Sequence, residues 1–570
     1  MRWLAVASLV LAACPGPGPH RVGAPPSWRG SGGIGAAGPT GPTGPTGATP
    51  AAVAAVAAPS RVRFAPAGAA AARYNEPPDP APHSELGDAV TAVVRAAALS
   101  AGLPVPLPDA RLFRACAELA AIVPDETVAG GTLDHAVIEF ALQRNGIIDP
   151  EPRLLFGWGD ISSPDRVVEN LRPSLESFLR DRATARLGVG VGQRRADGTA
   201  AIVFALQGSW VATRPIPREV AAGARVPIDA VVDPRFHDPE LFVTHEGGAT
   251  QQLELAPGRP GGFVAQVECG ARQGKKQIEI TASDAAGSTV LANFPVWCGA
   301  EPPRSITVDA AHHDVPDSAE AAERLLLTSV NRDRAAAGLP ALVWDRAVAA
   351  VARGYSEEMR RTHLVGHISP TSGAAGNRVR AAGIHTGVVL ENVARAYGIA
   401  EAHQALMNSP GHRANLMSSL ATHVGIGVAF GDTASGRREL LITQVFTRVP
   451  PAFDRSQALA AVRRKLAAAR PAPPVAALDA LAQQLADGVA AGKSPEAAYQ
   501  AISAQVIGLG KRYQRIGRMI TAAIELDAID GPDLLRGVVG DDLGLGLAQG
   551  PHSELGDNAI WIVLLYANRR

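Results

Sequence analysis

Three stretches of the chain repeat one alternation of apolar strand, polar turn and apolar strand: residues 186–207, 423–446 and 542–567. Each opens with paired glycines among apolar residues, breaks at a Gly- or Asp-containing turn and resumes as a second apolar run, the pattern of a β-hairpin. The stretches before them also correspond. Residues 330–345 align without a gap onto 94–109, matching Val330 to Val94, Gly338-Leu339 to Gly102-Leu103 and Asp345 to Asp109, with helical periodicity on both sides. A third segment, from Ser456 through Asp479, follows the same course with two extra residues and no Gly-Leu. In the middle copy Asp317 and Glu320 have the spacing of a capping box, and Val348, Val351, Tyr355 and Met359 share one helix face. Helices followed by a terminal hairpin predict an α+β fold, with helices packed on antiparallel sheet.

Between the first two copies the period changes. Residues 225–232, 241–244, 262–269, 276–282 and 288–297 are short strand-like runs separated by turn residues, as in a small all-β, immunoglobulin-like sandwich. The predicted order is a copy over 85–210, a β-sandwich over 216–300, a copy over 317–448 and a copy over 455–570. With 570 residues the chain has room for several separate cores. Its 54 basic residues match its 54 acidic ones, and no basic run or basic-aromatic stripe occurs, so nothing in the charge pattern points to nucleic acid.

Met1-Arg2 precedes an apolar stretch from Trp3 to Ala13, too short to span a bilayer and built like a signal peptide. Leu11-Ala12-Ala13-Cys14 resembles a bacterial lipobox, which implies cleavage before Cys14 and acylation of its thiol; a plain secretory leader is the alternative. On the lipobox reading, residues 1–14 are leader and lipobox, and the protein is exported and lipid-anchored at the bacterial outer membrane or cell surface. Residues 15–80, rich in Pro, Gly, Ala and Thr and without hydrophobic period, read as a disordered tether. Cys269 and Cys298 each end a strand-like run, which makes a disulfide between them plausible in an oxidising compartment. Cys116 lies in an apolar helix pattern and reads as a small buried hydrophobe.

Metal-competent side chains cluster in the middle copy alone. Gly366-His367-Ile368-Ser369-Pro370 is followed by Arg378, Glu391-Asn392 and Ser409-Pro410-Gly411-His412-Arg413-Ala414-Asn415. With Asn331-Arg332 and Arg334, Gly338-Leu339, Gly425-Ile426-Gly427 and Thr443-Gln444 before Phe446, this order resembles the CAP (SCP) domain of cysteine-rich secretory proteins, antigen 5 and plant pathogenesis-related proteins, in its shorter bacterial form. The resemblance implies an α-β-α sandwich with two histidines and two acidic residues around a central cleft, where some members bind a divalent cation. His367, Glu391 and His412 match three of these, making zinc or another divalent cation the cofactor to expect. The second acid is missing: Ser409 stands near its place, and Glu401 is the nearby substitute. Ser369, Asn392, Ser409, Asn415 and Gln444 are the expected cleft residues. Leu390 and Leu406 replace the family's usual glycine and tryptophan.

The residues themselves allow the same site. Ser409 suits an N-cap with Pro410 at the first helical position, so His412 falls in the opening turn, where the helix dipole favours neutral imidazole. Two histidines and one carboxylate leave a coordination position open, as in catalytic zinc sites; a hydrogen-bonded polar core is the alternative. His363, His385, His403 and His423 read as surface or hydrogen-bonded side chains. Aligned from the proline, Leu175 and Leu534 stand where the middle copy has His412, and Glu391 falls near Leu154, so the outer copies read as degenerate CAP-like domains without the site. No nucleophile motif accompanies the cluster. The sequence therefore favours an envelope binding protein for a lipid, glycan or protein ligand over a metal-assisted peptidase or esterase, with a structural lipoprotein as a third alternative.

Overall fold

The computed structural model describes residues 3–6, 10–12, 61–77, 79–80, 82–123, 133–181, 185–309, 316–434, 437–449, 452–471, 473–527 and 529–570. Cys14 and the tether up to residue 60 lie outside them. No described helix is long and apolar enough to cross a membrane. Helices and strands both abound, and the fold is α+β.

The middle unit is a sheet between two helical layers. Its strands run in the order Val10–Ala12, Val389–Ala396, Arg437–Thr447, His423–Ala434, Val343–Trp344, antiparallel except for the last pair. One face packs Leu326 and Val330 of the helix Ala319–Ala336 and Ile399 and Leu406 of Ile399–Asn408 onto Ile426, Ile442 and Phe446. The other takes Val348, Tyr355 and Met359 from the helix Arg346–Thr362, the stripe read from the sequence, with Val351 packed at its border. Ser318 caps the first of these helices, its hydroxyl accepting from the Ala321 amide at 3.2 Å. A simple serine cap thus replaces the capping box expected from Asp317 and Glu320, because Ser318 itself has the extended N-cap conformation and Ala321, three residues on, has no side chain to reach back.

The first unit has the same strand order: Trp3–Val6, Arg153–Asp160, Thr199–Gln207, Arg186–Val191, Leu107–Pro108. In the third, Tyr513–Ala523, Gly556–Arg569 and Asp542–His552 follow that order, and an isolated parallel bridge from Pro474 to Leu543 stands where the others have a short fifth strand. In all three, the paired glycines lie directly beneath a helix backbone. A Cβ added at Gly190, Gly427 or Gly546 would come within 2.0, 2.2 and 2.3 Å of backbone atoms of Cys116, Arg353 and Ala482 respectively.

The β unit pairs a five-stranded sheet with a four-stranded one around Ile228, Val243, Ile278, Ile280, Phe263 and Phe294. Cys269 and Cys298 form a disulfide across 29 residues of sequence, both fully buried. Closing a loop of that length stabilises by about 3–4 kcal/mol. Cys269→Ala/Cys298→Ala is expected to lower the denaturant midpoint of this unit accordingly, and an unchanged midpoint would contradict that account.

The tether ends earlier than expected. Arg61–Phe64 pairs with Ile306–Asp309, and Arg73–Tyr74 with Ile216–Pro217. Tyr74 is fully buried, its ring 5.0 Å from that of Phe294 and its hydroxyl donating to the Pro295 carbonyl at 2.8 Å. Two isolated aromatics, Phe64 and Tyr74, anchor a stretch whose composition alone predicts disorder.

Candidate functional site

The helix Arg346–Thr362 stops at His363, which adopts a left-handed conformation (φ 55°), and the chain turns back so that His367 reaches the sheet. There His367 Nδ1 lies 2.9 Å from Oε1 of Glu391, on the strand Val389–Ala396. The other carboxylate oxygen, Oε2, accepts from Arg378, whose guanidinium stacks 3.5 Å above the Tyr355 ring. A carboxylate oxygen only accepts, so His367 donates through Nδ1, and in the neutral ring the lone pair is on Nε2. That Nε2 is buried and has no partner among the described residues.

His412 is held differently. It sits in the short helix Pro410–Leu416, as expected, and Ser409 occupies the N-cap position but makes no side-chain cap. The Ser409 hydroxyl donates instead to Oε2 of Glu279 and stands 2.6 Å from His412 Nδ1. Glu279 belongs to the β unit. Its Oε1 accepts from the Gly411 amide at 2.8 Å, taking over the cap that Ser409 leaves unmade. When the Glu279 carboxyl is ionised the serine proton points at it and His412 donates to Ser409 through Nδ1; when it is protonated the serine proton can turn to His412 Nδ1 instead. Burial pushes the Glu279 carboxyl up to about 7, against the Ser409 and Gly411 hydrogen bonds.

The expected cleft residues form a packed network. Asn392 Nδ2 donates to the His412 carbonyl at 3.2 Å and to Gln444 Oε1 at 3.1 Å, and Asn415 Nδ2 donates to Asn392 Oδ1 at 3.0 Å and to the Glu391 carbonyl at 3.1 Å. Ser369, with Thr371 and Ser372, turns its hydroxyl to Glu358. Burial works against the Glu358 charge, but these three hydroxyls outweigh it and hold the carboxyl below its usual range. Around the two histidines the network is closed to solvent: Glu391 is 4 % exposed, His367 3 %, and Ser409 and His412 not at all, while Thr371 lies at the surface.

The β unit covers the cluster. The amides of His367 and Ile368 both donate to the Ala286 carbonyl, at 2.8 and 2.9 Å, Asn293 donates to the Asn408 carbonyl, and Arg413 donates to the Gly248 carbonyl at 3.0 Å.

The charge of Glu401 acts on His135 of the first unit, whose imidazole burial lowers but Glu151, Glu139 and Glu401 together push up to about 10. Both oxygens of Glu391 are engaged by His367 and Arg378, and among the described residues no group of three or more His, Cys, Asp or Glu side chains is arranged to hold a metal ion. Among those residues, His367, Glu391, His412 and Glu401 therefore do not form one ligand set. Three of the other histidines are hydrogen-bonded, as expected: His403 to Asp333 at 2.7 Å, His385 to the Ser553 carbonyl at 3.0 Å and His423 to Thr422 at 2.9 Å.

Sequence reasoning missed Glu279 and Glu358. Glu279 sits between Ile278 and Ile280, which face the sandwich core, so strand alternation assigns it to the outer face and to water. No signal within residues 317–448 could have named it.

Residues 327–446 match the family model described as the cysteine-rich secretory protein family, CAP. Over 113 residues the chain is 33 % identical to the uncharacterized protein YkwD of Bacillus subtilis strain 168, covering 20 % of this chain and 44 % of that one. It is 35 % identical over 107 residues to the uncharacterized membrane protein YlbC of the same organism, covering 19 % and 31 %. The chain thus spans less than half the length of these curated relatives. Similar solved structures include an extracellular SCP-domain protein of Bacillus anthracis (17 % identical, 41 % of this chain and 84 % of that one, TM-score 0.21). Another is an outer surface protein of Borrelia burgdorferi (17 % identical, 23 % and 95 %, TM-score 0.20).

Proposed function

Because residues 327–446 are a CAP domain, we propose that the chain is an extracytoplasmic binding protein, exported and tethered to the bacterial cell envelope by lipid on Cys14. The middle unit recognises a lipid, glycan or protein ligand, and the outer units, with Leu175 and Leu534 in the place of His412, are site-less relatives that extend the recognition surface. The observation that carries binding over catalysis is the commitment of Glu391: with its oxygens on His367 and Arg378, it is placed to organise the site rather than to activate water. Cleavage before Cys14 removes Trp3–Val6 and Val10–Ala12, leaving Arg153–Asp160 and Val389–Ala396 as the sheet edges.

Two measurements test this. Metabolic labelling with palmitate is expected to mark the wild-type protein and not Cys14→Ser, and equal labelling, or none in either, defeats the anchor. Purified protein incubated with an envelope extract is expected to retain a ligand detectable by native mass spectrometry, in amounts reduced by His412→Ala; retention of nothing by either protein defeats the binding function.

A second reading, a metal-assisted hydrolase, draws on the buried, unpartnered Nε2 of His367. Elemental analysis separates it. Stoichiometric zinc in wild type, absent from His367→Ala/His412→Ala, would support the hydrolase; none in either would leave the binding reading.

A further inference from the structure

We infer that the β unit is a lid on the CAP site, that Glu279 is the second acid this site lacks within its own domain, and that ligand enters only when the β unit parts from the middle unit. The inference rests on the binding function proposed above and adds its regulation.

The strand Gly274–Asp284 carries core residues on one face and Gln277, Glu279 and Thr281 on the other. Outer-face polar residues of a small sandwich belong in water, yet these three are at most 5 % exposed, and the middle unit lies on Glu279. Glu279 is the most demanding of them. Its partners are a hydroxyl and an amide of the middle unit, with no cation opposite among the described residues, so its charged form is poorly compensated while the interface stays shut. Parting the units hydrates Glu279 and offsets the loss of those two hydrogen bonds.

The rest of the contact has the same character. It includes the Ala286 carbonyl on two amides, Asn293 on a carbonyl and Arg413 on a carbonyl, groups that water can satisfy after separation. Polar interfaces between domains of one chain resemble transient rather than obligate ones. The contact also falls on the site itself: Glu279 reaches His412 through Ser409, and the turn at Ala286-Gly287 meets His367, so closing the lid and filling the site are one event. Glu279 is a positioning residue in this scheme, acting on His412 through Ser409.

Three amides report on the lid directly, because their acceptors lie across the interface: His367 and Ile368 on Ala286, and Gly411 on Glu279. In the full-length chain, Glu279→Gln, which keeps an acceptor facing the middle unit and removes the charge, is expected to slow hydrogen exchange at these amides by roughly tenfold, with Ile278 and Ile280 inside the sandwich unchanged. A second variant wedges the lid. A Cβ added at Gly366 would lie 2.7 Å from the Ala286 carbonyl oxygen and 2.9 Å from its Cβ, across the interface and too close to be accommodated, so Gly366→Ala pushes the two units apart.

The wedged protein is expected to speed exchange at the three amides and to bind vesicles of phosphatidylethanolamine and phosphatidylglycerol more strongly than wild type, and Glu279→Gln to bind them more weakly. Exchange at the three amides that is unaltered in Glu279→Gln, or that changes together with Ile278 and Ile280, overturns the lid, as does measurable vesicle binding that is the same in all three proteins. Slowed exchange in Glu279→Gln with no vesicle binding by any form keeps the lid and defeats a lipid as its ligand.

Discussion

Gly427→Ala is expected to destabilise the middle unit by about 3 kcal/mol or more, since the added methyl has nowhere to go. Its Cβ would lie 2.2 Å from the Arg353 nitrogen and 2.3 Å from the Ala352 carbonyl carbon, both backbone atoms of the helix Arg346–Thr362. Backbone on both sides leaves no flexible side chain to move aside, so the helix must lift off the sheet and open the layer of Val348, Ala352 and Val445. Gly354, on the same helix, is the control: it is exposed, and an added Cβ meets nothing within 4 Å. Gly354→Ala is expected to stabilise by about 0.5–1 kcal/mol through helix propensity. Hydrogen exchange at the amides of the strand Arg437–Thr447 across a guanidinium series follows this unit, since the chain's seven tryptophans are spread over several units. A Gly427→Ala midpoint equal to that of wild type means that helix and strand are not in contact as described.

That contact also explains what the sequence disclosed. Paired glycines recur at Gly188 and Gly190, Gly425 and Gly427, and Gly544 and Gly546 because each pair seats a helix against a hairpin strand, a constraint that shows through when little else does. The stripe from Val348 to Met359 and the disulfide between Cys269 and Cys298 were legible for related reasons: one follows a helical period, the other joins two cysteines that each stand at the end of a strand, one from each sheet of the β unit. What escaped depends on other parts of the chain. Tyr74 stands in a low-complexity context, and residues far along the chain, among them Phe294 and Pro295, give it a core. Ser409 has the sequence of an N-cap, but Glu279 makes the cap and frees its hydroxyl for His412. Local rules predict the position of Ser409 correctly and its hydrogen bonds wrongly, because the better acceptor arrives from another domain.

Glu391→Ala is expected to cost about 3–5 kcal/mol, the range for removing one member of a buried ion pair. The guanidinium of Arg378 would keep its stacking on Tyr355 and the carbonyls of Gly373 and His367, but lose its counter-charge at a site 7 % exposed or less. His367 would be left with both ring nitrogens short of a partner. Glu391→Gln is expected to cost less, because its amide oxygen still accepts from Arg378 while its NH2 faces His367, forcing the imidazole proton from Nδ1 to Nε2. Nitrogen-15 spectra of His367 read that tautomer change directly. Removing both charges with Arg378→Met/Glu391→Ala is expected to recover part of the loss, since an apolar pair avoids stranding either ion. The same variants separate a positioning carboxylate from a metal ligand. If Glu391 organises His367, excess zinc shifts the unfolding midpoints of wild type and Glu391→Gln equally. A zinc-dependent gain confined to wild type would make Glu391 a ligand and require Arg378 to release it.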